Sequence, residues 1–144
     1  MPFIRVWIHF VWATKNRAPL LMESLRPKLY QHIREYAKLK GIYLDRVNGH
    51  IDHVHCLVSL GSAQTIEKVA QLLKGESSFW WNNKSGFEAA RLEWQDGYFA
   101  VSVSESGVDA VRAYIDNQET HYQKKTFAVE YEAFIHKYGF DKQR

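Results

Sequence analysis

Two histidines stand one residue apart in the stretch Asp52-His53-Val54-His55-Cys56-Leu57-Val58. In an extended chain alternate side chains point to opposite faces. His53 and His55 therefore share a face with Leu57 and Ser59, while Val54, Cys56, Val58 and Leu60 share the other. One face reads as core, and the other presents two imidazoles side by side. At that spacing the pair can hold one divalent metal ion. A histidine near a strand end is more often structural, so this stretch alone leaves both roles open.

A second group with chemistry lies further on. Gly107 to Gln123 has helical spacing, with Val108, Val111 and Ile115 as its apolar stripe and Ser104 or Ser106 as N-caps. At about 100° per residue, Tyr114 and Gln118 are only about 40° apart around that axis and stand one turn apart on one face. A deprotonated phenol oxygen can attack phosphorus, and an amide carbonyl can ligate a hard divalent cation. By itself the pair is equally a half-buried tyrosine beside a surface amide. Cations that could meet a phosphate are Lys15 and Arg17, in the polar loop Thr14-Lys15-Asn16-Arg17-Ala18-Pro19, where a solvated loop is the equal alternative. Lys74, beside Gly75 and Ser77-Ser78, reads first as solvated and second as a phosphate contact.

These groups must be positioned by a chain of 144 residues, which suits one compact domain over 1–144. Hydrophobic residues make up 46%, aromatics 15% and charged residues 24%, a globular rather than a disordered composition. The net charge of +3 is compatible with a nucleic-acid partner but too small to argue for one. The single cysteine, Cys56, excludes an internal disulfide framework and a multi-cysteine zinc site. The apolar run Phe3 to Ala13 is too short to span a membrane and is interrupted by Arg5 and His9. With no signal peptide in view, a cytoplasmic protein without membrane association is the expectation.

Taken in order, Phe3 to Ala13 suits a strand buried on both faces. Glu23 to Lys40 has helical spacing and a stop at Gly41. Ile42 to Gly49 alternates and leads, through a turn near Gly49 to Asp52 that includes His50, into the histidine strand. Gln64 to Trp81 is again helical, and Leu92 to Ser104 reads as a strand broken or bulged at Asp96-Gly97. Ala128 to Tyr138 makes a last helix, packed on its own subunit or on a partner. The order predicts an α+β, ferredoxin-like βαββαβ antiparallel sheet, with helices on one face and a C-terminal helix carrying Tyr114. The face bearing His53 and His55 is expected to be left for function or a partner.

His53-Val54-His55 after a split sheet, followed by Tyr114-Ile115-Asp116-Asn117-Gln118 on a helix, resembles the single-tyrosine insertion-sequence transposases. These belong to the histidine-hydrophobic-histidine (HUH) superfamily of DNA nickases and include the REP-associated type. Val11-Trp12-Ala13-Thr14-Lys15-Asn16-Arg17, Trp94-Gln95-Asp96-Gly97-Tyr98, Val101-Ser102-Val103-Ser104 and His121-Tyr122-Gln123-Lys124-Lys125-Thr126-Phe127 extend the resemblance over nearly the whole chain. Cys56 stands where the family more often has an aliphatic residue.

The resemblance implies that His53, His55 and Gln118 bind Mg²⁺ or Mn²⁺ and that Tyr114 is the nucleophile. The implied reaction nicks single-stranded DNA, leaving a 5′-phosphotyrosine and a free 3′-hydroxyl, and rejoins it without ATP. It also implies hairpin-containing element ends as substrate and a homodimer, in which the tyrosine helix of some members completes the partner's site. Lys15, Arg17, Lys74, Lys124 and Lys125 are the candidate DNA-backbone contacts. Three rivals stand beside this reading. One is a domesticated HUH nuclease with the same chemistry. Another is a ferredoxin-like nucleic-acid-binding module without catalysis. The third, a histidine phosphohydrolase, needs a second histidine pair that the sequence does not offer.

Overall fold

The computed structural model describes residues 2–121 and 126–142. Four strands, β1 (Trp7–Ala13), β2 (Tyr43–His50), β3 (His53–Ser59) and β4 (Phe99–Val103), form an antiparallel sheet in the order β2-β3-β1-β4. Helices α1 (Arg26–Leu39) and α2 (Ile66–Asn83) are the two crossovers, and α3 (Val108–Asp116), α4 (Gln118–His121) and α5 (Phe127–Lys137) follow the sheet. This is the βαββαβ order that the sequence predicts.

Every residue of β1 is buried, as its unbroken apolar run requires. Ile8, Phe10 and Trp12 point to one side with Val54, Cys56 and Val58 of β3. There they meet Leu29, Ile33 and Ala37 of α1 and Val69, Ala70 and Leu73 of α2. Each such side chain contributes about 1.5–3 kcal/mol on burial, so this layer is the main core. β1 starts at Trp7 and not at Phe3, because its ladder partners Ser59 and Val103 end there. Phe3 is left almost fully exposed.

The hairpin that carries the histidines is tighter than expected. His50 is not a turn residue: it closes β2 opposite His53, leaving only Ile51 and Asp52 to turn. Gly49 makes this approach possible, since a β-carbon built there falls 2.1 Å from the His53 carbonyl oxygen. That oxygen is backbone and cannot swing away. Gly49→Ala is therefore expected to cost about 2–3 kcal/mol, read as a lower urea midpoint, with His53 displaced.

Two further elements differ from the sequence reading. Residues 92–98 do not join the last strand and make only an isolated bridge, Trp94 with Thr14. The Lys74 ammonium donates to the carbonyls of Gln95 (2.7 Å), Asp96 (3.1 Å) and Gly97 (3.0 Å), which wraps this backbone around a cation instead of along a ladder. The helix expected over 107–123 is broken. α3 stops at Asp116, where the Asn48 side-chain amide donates to the Ile115 carbonyl at 2.9 Å and satisfies one of the carbonyls a helix end leaves over. Gln118 then opens α4.

The second face of the sheet is not open. Trp7 and Leu57 pack against Val108 and Ile115 of α3, and Val11 and Ala13 pack against Phe127 of α5. Around the imidazoles that face carries Trp7, Val11, Leu57 and Val101, too much apolar surface to leave in water, and the C-terminal helices cover it from within the same chain. No helix among the described residues is long and apolar enough to cross a membrane.

Candidate active site

His53 and His55 lie on the C-terminal-helix face of β3, opposite Ala13 and Val11 of β1, and both are fully buried. The His53 Nδ1 stands 2.8 Å from the Asp52 carboxylate and its Nε2 stands 3.1 Å from Gln118 Oε1. The Gln118 amide is oriented from its other end, where Nε2 donates to the Tyr114 carbonyl at 3.2 Å. Asp52 can only accept, so His53 Nδ1–H donates to it. In a neutral imidazole this sets the Nε2 lone pair against the Gln118 oxygen lone pair. A proton or a cation at Nε2 relieves that opposition. The donor set of two imidazoles and one amide oxygen thus fits a divalent ion that keeps several waters. Among the described residues no group of three or more His, Cys, Asp or Glu side chains could hold a metal ion, at this site or any other, so an ion here would need the Gln118 amide as its third protein ligand.

Tyr114 stands against His55, its ring centroid 5.6 Å from that of His55 and nearly perpendicular to it. Tyr114 and Gln118 were expected one turn apart on a single helix. They are brought together across the break at Asn117 instead. α3 is fastened to its own sheet. Arg112 donates twice to Asp45, the residue bulged out of the β2–β3 register, at 2.7 and 2.9 Å. Burial pushes the Tyr114 phenol up to about 12, while a hydrogen bond with the Gln118 side chain works the other way.

The sequence reading missed three neighbours. His9 of β1, seen only as an interruption of an apolar run, lies on this face, with Nε2 2.9 Å from His55 Nδ1. Burial lowers its pKa to about 4. Its alternation with Trp7 and Val11 was legible, but the register that sets it beside His55 was not. Asp52 stands in the turn and in the stretch Asp52-His53-Val54-His55 that resembles the family's metal motif, but the sequence assigns it no role of its own. Phe127 stacks flat on His53, centroids 4.1 Å apart, and closes the site from above.

Glu130, next on α5, is also buried, and burial lifts its carboxyl to about 7 from an ordinary 4.5. A carboxyl whose folded pKa is raised adds stability that is complete below its unfolded pKa and is lost as pH rises through the folded one. α5 is therefore expected to dock more firmly at about pH 5 than at about pH 8. Amide exchange of α5 should show this, and Glu130→Gln should flatten the dependence.

The candidate DNA contacts divide. Lys15 and Arg17 form a tight turn, with Asn16 and Arg17 both left-handed (φ 57° and 52°). The turn abuts the histidine hairpin through Thr14 N–H, which donates to the Asp52 carbonyl at 2.9 Å. Lys15 pairs with Glu93 at 3.3 Å, and the Arg17 guanidinium lies over the Tyr131 ring. Lys74 is corrected: its three carbonyl partners engage the whole ammonium, so it is a loop clamp and not a phosphate contact. Lys124 and Lys125 lie outside the described residues.

A split antiparallel sheet with paired imidazoles facing a tyrosine on a following helix defines a class of chain. The family described as IS200-like transposases matches residues 3–118, and the chain belongs to it. It is similar to a crystal structure from Deinococcus radiodurans R1, of a protein provisionally called a transposase. Identity is 26% and the TM-score 0.62, over 81% of this chain and 93% of that one. It shares its fold, at 14% identity and a TM-score of 0.63, with a REP-associated tyrosine transposase bound to a REP hairpin, over 85% of this chain and 72% of that one. No curated protein matches the chain.

Proposed function

We propose that this transposase-family chain nicks and rejoins single-stranded DNA through Tyr114, at a site where His53, His55 and Gln118 hold Mg²⁺ or Mn²⁺. The observation that carries the reading is the meeting of a half-buried Tyr114 with the buried Gln118 and both buried imidazoles in one cluster. When bound, the ion supplies Lewis acidity toward a non-bridging oxygen of the scissile phosphate. Tyr114 Oη forms a bond to phosphorus as the bond from phosphorus to the 3′ oxygen breaks. The phenol proton leaves to solvent and the departing 3′ oxygen takes one up. The phosphotyrosine keeps the energy of the phosphodiester, so attack by another 3′-hydroxyl reverses the step without ATP.

Asp52 holds His53 in the tautomer that offers Nε2. The Arg112 clamp and the Asn48 bond fix α3 to its own sheet, which favours Tyr114 working beside the histidines of its own chain. Lys15 and Arg17, at the rim beside Asp52, are suited to the DNA backbone, and Lys124 and Lys125 are assigned the same role from sequence. Phe127 lies flat on His53 and covers one face of that ring, while Tyr114 is only half-buried. By likeness to the relative bound to a REP hairpin, the substrate carries a hairpin; single-stranded DNA beside it and a homodimeric working form are taken from the resemblance of the sequence to the family.

The test is denaturing electrophoresis of the chain with labelled single-stranded DNA carrying its own element ends, with Mg²⁺ or Mn²⁺. A labelled protein band that withstands denaturation and needs the ion is expected. Binding without any adduct on those ends would favour the non-catalytic module.

A further inference from the structure

We infer that His9 is a positioning residue of the metal centre, one that fixes the tautomer and aim of His55. This rests on the proposed reading of His53, His55 and Gln118 as ligands. In the sheet, His9 pairs across from Leu57 and is therefore the diagonal neighbour of His55, within reach of a ring but not directly opposite. The two rings lie 5.1 Å apart at 29°, and the nitrogens meet at 2.9 Å. His9 is itself held by the edges of the Tyr114 and Phe134 rings, each 6.2 Å away.

At 2.9 Å one of these two nitrogens must carry the proton. A neutral imidazole that gives Nε2 to a cation keeps its proton on Nδ1, and the His55 Nδ1 is the nitrogen facing His9. His55 Nδ1–H then donates to His9 Nε2, and His9 keeps its own proton on Nδ1. The arrangement parallels the other ligand, whose Nδ1–H donates to Asp52. Each imidazole of the pair thus has its Nδ1 engaged by an outer partner, with Nε2 the atom assigned to the ion, the outer-partner logic common to metal-bound histidines. On His53 that partner is a carboxylate. On His55 it is a neutral ring, which orients without adding negative charge.

The experiment uses the full chain. Long-range proton–nitrogen spectra of ¹⁵N-histidine protein, taken without metal, report the His55 tautomer directly. Mn²⁺ titration followed by electron paramagnetic resonance reports affinity, and thermal melts show that each variant is folded. The wild type is expected to show His55 protonated on Nδ1. His9→Phe should scatter the tautomer and weaken Mn²⁺ by about 10–100-fold. His9→Gln, whose amide oxygen can accept the same hydrogen bond, should recover most of that loss, which a merely space-filling role does not explain. Wild-type His55 protonated on Nε2 overturns the inference even if no variant folds. So does a folded His9→Phe that binds Mn²⁺ as the wild type does, or a His9→Gln no better than His9→Phe. If His53→Ala titrates like the wild type, the metal reading itself fails, and this inference fails with it for a separately visible reason.

Discussion

Tyr114→Phe is expected to erase the covalent protein–DNA band while leaving DNA binding close to that of the wild type. The change deletes one oxygen and keeps the ring that touches His9 and His55. Packing on α3 should survive, and the melting temperature should hold. Loss of a nucleophile that acts as part of a unit lowers turnover by about 10⁴-fold or more, which on a gel is absence. Filter binding on the same DNA supplies the control. An adduct that persists in Tyr114→Phe moves the nucleophile elsewhere, with Tyr122 the next phenol in the chain. Equal binding with no adduct in either protein, on authentic ends, speaks for a binding module.

His53→Ala and His55→Ala are each expected to abolish cleavage through the ion. Even an outer partner of a metal ligand is worth about 10–100-fold, and removing a direct ligand should exceed that. A bound ion stabilises the folded state by about 2.7 kcal/mol at a hundred times its dissociation constant. Mn²⁺ should therefore raise the melting temperature of the wild type and of Tyr114→Phe, but not of either histidine variant. This pattern separates a ligand from a core histidine. A structural histidine would lower the melting temperature with and without Mn²⁺ alike. Wild-type protein whose melting and cleavage ignore Mn²⁺ and Mg²⁺ would remove the ion from the scheme.

Local pattern decided much of this molecule. The alternation His53, His55, Leu57 against Val54, Cys56, Val58 fixed which side chains share a face of β3, because a strand has a period of two whatever it packs against. Helical spacing located α1 and α2, and their order with the strands implied the split sheet. Tyr114 and Gln118 could be paired from four-residue spacing alone, and they do meet. What remained hidden depends on contacts between residues far apart in the chain. His9 lies 46 positions before His55, and only the β1–β3 register makes them neighbours. The end of α3 is set by Asn48, 67 positions before the carbonyl it binds. Lys74 looked free because the three carbonyls that surround it belong to a loop more than twenty positions on. The covering of the histidine face by α3 and Phe127 was likewise invisible, since periodicity tells which face of a helix is apolar but not which surface it will meet. Sequence pattern therefore supplied the reacting groups. Tertiary structure decided which of them touch, because long-range register and docking are set by the packing of the whole fold and not by any local repeat.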